Sequence, residues 1–191
     1  MKYHISHILL YVFCYTSANF FSEILMSSTT HETFPRAGFR RRIASWLYDG
    51  LIAIAVYMTA GAASFLLISL FVHFGVFDLQ GYQHLSDTIT NTHWLLWPNE
   101  FWKLAWVGLF FVWFWSKSGQ TLGMKAWRLR VQNQDGTRIS KKTGAKRLLP
   151  TLLGLGNFAV LFDRKNKLSL QDRLTNTEVV LLTLEANRGR L

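Results

Sequence analysis

The sequence is poor in cysteine and in acidic residues, and both shortages narrow what it can be. A single cysteine, Cys14, stands in 191 residues, which excludes an internal disulfide framework and any site built from several cysteines. Asp and Glu number 11 against 21 Lys and Arg, a net charge of +10. An excess of that size can mark a nucleic-acid binder, but here the basic residues are missing from the long apolar runs and gathered between them. A nucleic-acid domain would interleave them with its folded elements. Basic flanks beside apolar spans follow the positive-inside rule instead, so no nucleic-acid partner is expected. Half of the chain is hydrophobic and 15% is aromatic, which completes the pattern of an integral membrane protein in one compact unit.

The clearest apolar run extends from Ile43 to Phe77, with no lysine or arginine and with Asp49 as its one acidic residue. About 20 apolar residues suffice to cross the hydrocarbon core, so this run is ample. Arg36, Arg40, Arg41 and Arg42 stand just before it. A second span is expected from about Phe101 to Trp115, with Lys103 snorkelling outward and tryptophans at both ends resembling interfacial belts. Between the two lies a stretch free of lysine and arginine that reads as the outer face. The basic residues return between Lys117 and Arg147, so Arg36–Arg42 and Lys117–Arg147 are both expected on the cytoplasmic side of a bacterial plasma (inner) membrane. The resulting hairpin is multi-pass and meets anionic lipid with its basic face.

Other segments are read less directly. Residues 1–25 form an upstream extension or a signal-like segment. Three readings stay open for it: a cleaved signal, an extra helix, or a stretch ahead of a native start at Met26. Trp127, Leu129 and Val131 alternate with Arg128, Arg130 and Gln132, and Asp135-Gly136 follows, which is a hairpin signal. Thr177–Leu184 offers a further strand. A helix is expected from Ser140, capped by that serine and interrupted at Pro150. Its apolar part, 148–162, is a short third helix that re-enters, lies at the interface, packs against the first two helices or crosses the bilayer. The fold class expected is therefore an all-α membrane protein with two transmembrane helices, a third short apolar helix and a small cytoplasmic β element. Its parts are a cytoplasmic basic segment at 26–42, a membrane domain at 43–184 and a tail at 185–191.

Three separated motifs carry a resemblance. Ala37-Gly38-Phe39-Arg40-Arg41-Arg42-Ile43-Ala44-Ser45-Trp46-Leu47-Tyr48-Asp49 leads into the first span. Ser118-Gly119-Gln120-Thr121-Leu122-Gly123-Met124-Lys125 follows the second, with Leu129-Arg130-Val131 and Asp135-Gly136 after it. The third is Leu168-Ser169-Leu170-Gln171-Asp172-Arg173-Leu174-Thr175-Asn176-Thr177. In this order and at these intervals the chain resembles the RDD family of small membrane proteins. The resemblance implies that Arg42, Asp49 and Asp172 are the family's eponymous residues. Gln171 departs from it, since a histidine is expected there, and no role of that histidine carries over. Some members are linked to exchange of sodium or other monovalent cations for protons.

Among residues that could carry chemistry, Asp49 stands out. A carboxylate about 9 Å into the helix is costly unless it meets water, a cation, a positive side chain or its own proton. Arg42 lies seven residues earlier, too far for a local i,i+4 pair, so Arg147 and Arg173 are the candidate partners. Asp49 is either an exchanging carboxylate or a capped or paired group that docks the cytoplasmic element. Asp172 is either a turn or cap residue or the second member of a polar cluster with Asp49. His73, His84 and His93 are irregularly spaced, and no metal, cofactor or enzymatic reaction is expected. Two functions follow: cation or proton transport by a homo-oligomer, or a non-transporting membrane adaptor or assembly factor that binds anionic lipid or a partner protein.

Overall fold

A computed structural model describes residues 34–79, 81–152, 154–163 and 165–189. The readings of residues 1–25 and of Met26 as a start lie outside the described residues. The dominant element is α1, Phe39–His73, 35 residues long. Its alanines, leucines and isoleucines favour a helix or pack well along one, and no proline interrupts it. Among the described residues it is the one helix long and apolar enough to cross a membrane. A short α2 (Leu85–Asn91) and a longer α3 (His93–Lys117) follow. The second expected span lies inside α3, which carries Asn99, Glu100 and Lys103 among its aromatic residues.

Helices α1 and α3 pack antiparallel, as the order of their contacts shows. Ser64 Oγ donates to Asn99 Oδ1 at 2.6 Å, Trp102 Nε1 donates to the Ala60 carbonyl, and Lys103 sits 4.6 Å over the Tyr57 ring. The inward positions of α1, among them Arg42, Ser45, Asp49 and Ala60, recur at helical spacing. Leu51, Ile54, Met58 and Leu66 stand exposed between them. An apolar face left uncovered along such a length suits lipid or another apolar partner rather than water.

The chain then builds a small polar-and-apolar block against the first turns of α1. It comprises α4 (Leu122–Ala126), β1 (Leu129–Asn133), α5 (Lys141–Leu152), a 3-10 turn (Leu155–Phe158), α6 (Ala159–Phe162), α7 (Leu170–Thr175), β2 (Thr177–Leu181) and α8 (Leu184–Arg188). Strands β1 and β2 pair antiparallel, with Leu129 opposite Leu181 and Asn133 opposite Thr177. Arg36 bridges to Val180, so the segment just before α1 lines the other edge of β2. Leu129, Val131, Ile139 and Val179 share one core with Val107, Phe111 and Trp115 of α3 and Met124 of α4.

Three expectations are corrected. Asp135-Gly136 does turn the chain, with Asn133 N–H on the Thr137 carbonyl at 2.9 Å, but no strand forms over 137–140. Strand β2 pairs along one edge of β1, and on the other edge Val131 N–H is taken by the Gly119 carbonyl at 2.8 Å, so the returning chain builds no strand there. Nor does β1 alternate: Leu129, Arg130, Val131 and Gln132 are all buried. Buried Arg130 and Gln132 are tolerated because they bond each other, and Gln132 Nε2 reaches Glu178 Oε1 at 2.9 Å. The third correction concerns 148–162. Ser140 caps α5 as expected, its Oγ accepting from Thr143 N–H at 3.1 Å, but Pro150 sits within that helix. The break falls at Gly154, in the left-handed region at φ 69°. Beyond it come one 3-10 turn and one short helix, so no continuous apolar helix runs through 148–162.

The tail expected from residue 185 also holds structure. Asn187 in α8 accepts from Gln120 Nε2 at 2.9 Å and donates to the Lys125 carbonyl.

A Cβ on Gly154 would face both an unfavourable φ and the Trp46 ring 2.9 Å away. Gly154→Ala is expected to destabilise the folded protein by about 1–3 kcal/mol, read as a lower thermal midpoint in detergent. An unchanged midpoint would show that the turn yields freely.

Candidate functional site

The first turns of α1 present two acidic sites of opposite design. Asp172 is N3 of α7 and completes a capping box with Ser169, each side chain bonded to the other's backbone N–H. Its side chain is fully buried. Arg42 Nη1 donates to Oδ2 at 2.7 Å and Arg147 Nη2 donates to Oδ1 at 2.8 Å. The arginines are in turn held by neutral oxygens. Arg42 reaches the carbonyls of Ala37 and Lys167 and the Ser169 hydroxyl, and Arg147 reaches the hydroxyls of Thr175 and Thr177. Burial alone would push the Asp172 carboxyl up, but the two guanidinium charges and the Ser169 hydrogen bond outweigh it and hold it below the usual carboxylate range. Burial lowers Arg147 from its ordinary value, against the pull of Asp172.

Asp49 lies buried two turns further along α1 and is bonded by neutral donors. Thr121 Oγ1 donates to Oδ2 at 2.5 Å, Gly123 N–H donates to Oδ1 at 2.9 Å, and Ser45 Oγ lies 3.4 Å from Oδ2. Thr121 also caps α4, its hydroxyl accepting from Met124 N–H. A single hydroxyl thereby starts α4 and ties it to α1. The close approach requires glycine at 123, since a Cβ there would stand 2.6 Å from the Ser45 carbonyl oxygen and 2.7 Å from Asp49 Oδ1.

The expected partnership of Asp49 with Arg147 or Arg173 is corrected by this geometry. Arg147 is committed to Asp172, and Arg173 forms a surface pair with Asp163 at 2.7 Å. Among the described residues no arginine or lysine makes an ion pair with Asp49. The two aspartates do not merge into one charge cluster. Asp49 borders a cavity of about 150 Å³, which Arg42 and Arg147 also line on its polar side and Trp46, Phe111 and Trp115 on its apolar side; Asp172 lies behind the two arginines and does not line it. Such a volume admits several water molecules.

Gln171, where a histidine is expected from the resemblance, also borders the cavity. Its Nε2 donates to Asn157 Oδ1 at 2.9 Å, and its Oε1 has no hydrogen-bond partner among the described residues. The same holds for Arg147 Nε and Thr151 Oγ1, so all three of these unpartnered polar atoms belong to residues that line one space. Buried polar groups are ordinarily satisfied, which makes this wall of the cavity the place for water or an ion.

Sequence reasoning passed over Ser45, Thr121 and Gly123 as carriers of the Asp49 site. The signal for Thr121 was present, because a threonine just ahead of a short apolar segment is a helix cap. Its second bond, across 72 positions of sequence, leaves no local trace.

A sequence model of the RDD family matches residues 36–176. The chain belongs to the RDD family. No curated protein and no solved structure matches it. Membership places the long apolar α1 in a membrane protein, and it aligns the matched region with the block that runs from Arg36 through α7. Arg42, Asp49 and Asp172, the residues for which the resemblance implies the name, take two roles here: Arg42 and Asp172 meet directly, and Asp49 stands apart beside the cavity.

Two outcomes test this division. Asp172→Asn leaves two buried guanidinium groups without their counter-charge and should cost about 3–5 kcal/mol of stability at neutral pH. Because the folded carboxyl lies below its unfolded value of about 3.9, its contribution is complete above that value and is lost as pH falls through the folded pKa. The gap between native and Asp172→Asn thermal midpoints should therefore close on acidification below about pH 4; a gap independent of pH would contradict the ion-pair account. Gly123→Ala should lower stability by about 1–3 kcal/mol through overpacking, with the Thr121 and Gly123 bonds to Asp49 disturbed, and a native-like melt would show that α4 shifts without strain.

Proposed function

We propose that this RDD-family protein exchanges protons for a monovalent cation across a bacterial plasma membrane, with Asp49 as the carboxylate that holds the exchanging ion. The observation that carries this reading is the contrast between the two buried aspartates. Asp172 is saturated by two arginines, a pairing that fixes its charge. Asp49 is held by hydroxyl and amide donors and borders a cavity, so a proton or cation can come and go without stranding a buried guanidinium. An ionisable group inside a membrane helix is a functional site by default when no permanent partner neutralises it.

The topology that goes with this reading has α1 and α3 as two crossings, with Arg36–Arg42 and Lys117–Arg147 on the cytoplasmic side under the positive-inside rule. Asp49 then lies near the cytoplasmic end of α1. The block of α4 to α8 closes over it, and Arg42 and Arg147 anchor that block. One protomer has few helices to wall a path, so we further propose a homo-oligomer that uses the exposed apolar face of α1 to shield the route from lipid. No enzymatic reaction and no cofactor enter this reading.

A second reading rests on the exposed lysines of α5. Lys141, Lys142 and Lys146 all stand at its surface, where they suit anionic lipid headgroups, and Asp49 then serves only to dock α4. In that case the protein is a non-transporting adaptor that holds a partner at the membrane.

Reconstitution separates the two. Proton flux driven by sodium or potassium gradients in proteoliposomes should appear with the native chain and fall to the level of empty vesicles with Asp49→Asn of equal folding and orientation. Native protein that folds and inserts but moves no protons with either cation favours the adaptor.

A further inference from the structure

The seam between α1 and α3 holds a second set of ionisable groups, well away from Asp49. Tyr57 lies at the middle of α1, eight residues beyond Asp49 and so about 12 Å further along the axis. Its hydroxyl donates to Glu100 Oε2 at 2.5 Å, and Lys103 Nζ donates to Glu100 Oε1 at 2.5 Å. The ammonium also lies 4.6 Å over the Tyr57 ring. Both carboxylate oxygens of Glu100 are thus engaged by groups that themselves carry exchangeable protons. Lys103 reaches this position along the small surface of Gly61, where a Cβ would stand 3.3 Å from Lys103 Cδ.

Helix association does not require such groups. Small residues and neutral hydrogen bonds hold membrane helices together, and the same seam supplies both, with Ser64 on Asn99 and Trp102 on the Ala60 carbonyl. A glutamate–lysine pair set into an apolar helix seam, with Lys103 12% exposed, is costly by comparison, so its presence asks for a use.

Its position suggests that use. The polar positions of α1 that face its partners run Arg42, Ser45, Asp49, Tyr57 and Ser64. From first to last they cover 22 residues, about 33 Å of helix, which matches the roughly 30 Å of a hydrocarbon core. The cavity beside Asp49 extends to Ala53, one turn short of Tyr57. The widest interval in the series is therefore partly spanned by space that water can occupy.

We propose that Glu100, with Tyr57 and Lys103, is a second proton-exchange station on the route that ends at Asp49. A proton taken from water on the outer side adds to the Glu100 carboxylate and leaves it neutral beside the Lys103 ammonium. Tyr57 then accepts that proton from Glu100 as it releases its own hydroxyl proton to water in the cavity, and Asp49 receives it there. Each transfer breaks one O–H bond and forms another, with no redox change. The charged and titratable groups that face Glu100 are Tyr57 on α1 and Lys103 on its own helix. Beyond the outer end of the seam, α2 and its flanks offer His84, Asp87 and His93, all exposed and none hydrogen-bonded to Glu100. The proposal rests on the transport reading, and it moves the route into the seam of each protomer.

The test uses the full chain in proteoliposomes of known orientation. Infrared difference spectra and proton flux are recorded for native protein, Glu100→Gln and Tyr57→Phe while outer and inner pH are stepped separately. A carboxyl band that Glu100→Gln removes should follow the outer step, and flux should fall by about 100-fold in that variant. Tyr57→Phe keeps the ring over Lys103 and removes only the relay hydroxyl, so it carries the test if Glu100→Gln separates the helices; it too should lose flux. Native flux in a folded Glu100→Gln or Tyr57→Phe protein overturns the proposal. If the native chain moves no protons, the transport reading fails by itself. The band then decides for Glu100: a carboxyl that ignores the outer step overturns the station, and one that follows it supports the station.

Discussion

Everything near the start of α1 depends on one buried carboxylate shared by two arginines. Asp172 joins Arg42 of α1 to Arg147 of α5 while it caps α7. Three elements that are far apart in sequence meet at this side chain. Two guanidinium groups could not be buried without it, since an uncompensated interior charge costs several kcal/mol. The neutral oxygens around each arginine complete the arrangement. They accept the N–H groups that Asp172 cannot reach, so most of the desolvation is offset by hydrogen bonds. Burial of such a triad is weak evidence of net stability, but it is strong geometry, because few arrangements engage two buried guanidinium groups with one carboxylate and leave only Arg147 Nε of their donor atoms without a partner among the described residues.

That commitment leaves Asp49 without an arginine ion pair among the described residues. With both nearby guanidinium groups engaged at Asp172, Asp49 is stabilised by the Thr121 and Ser45 hydroxyls and the Gly123 amide. The first two aspects of its environment, burial and neutral donors, come from the docking of α4 on α1, which requires glycine at 123. The cavity is the third. The same contacts that fix α4 therefore leave a buried carboxylate on neutral donors beside a cavity, which is the arrangement the proposed function uses.

The apolar spans and the basic clusters were legible because period, length and charge are local properties of sequence. The match to the RDD family was legible too, through three motifs that the fold brings together around Arg42, Asp49 and Asp172. The partners of Asp49 were not, because Thr121 and Gly123 reach it from 72 and 74 positions away. The Asp135-Gly136 turn was read rightly as a turn and wrongly as a hairpin, since β2 pairs with β1 from beyond residue 176 and Gly119 occupies the edge a returning strand would use. The apolar length of 148–162 suggested a helix, but Gly154 and its contact with Trp46 divide it. Lys103 read in sequence as a residue that snorkels outward, and its contacts with Tyr57 and Glu100 were not legible, because only the antiparallel packing of α1 on α3 brings the three together.

The central claim is that the two buried aspartates differ in kind, one fixed in charge and the other exchanging. Carboxyl infrared bands of the protein in lipid, assigned with Asp49→Asn and Asp172→Asn, test it most directly. Above about pH 4 the Asp49 band should change between its protonated and ionised positions as pH or sodium concentration is varied, with Asp172 ionised throughout. An Asp49 that keeps one protonation state over that range, or an Asp172 that changes its own, would contradict the account.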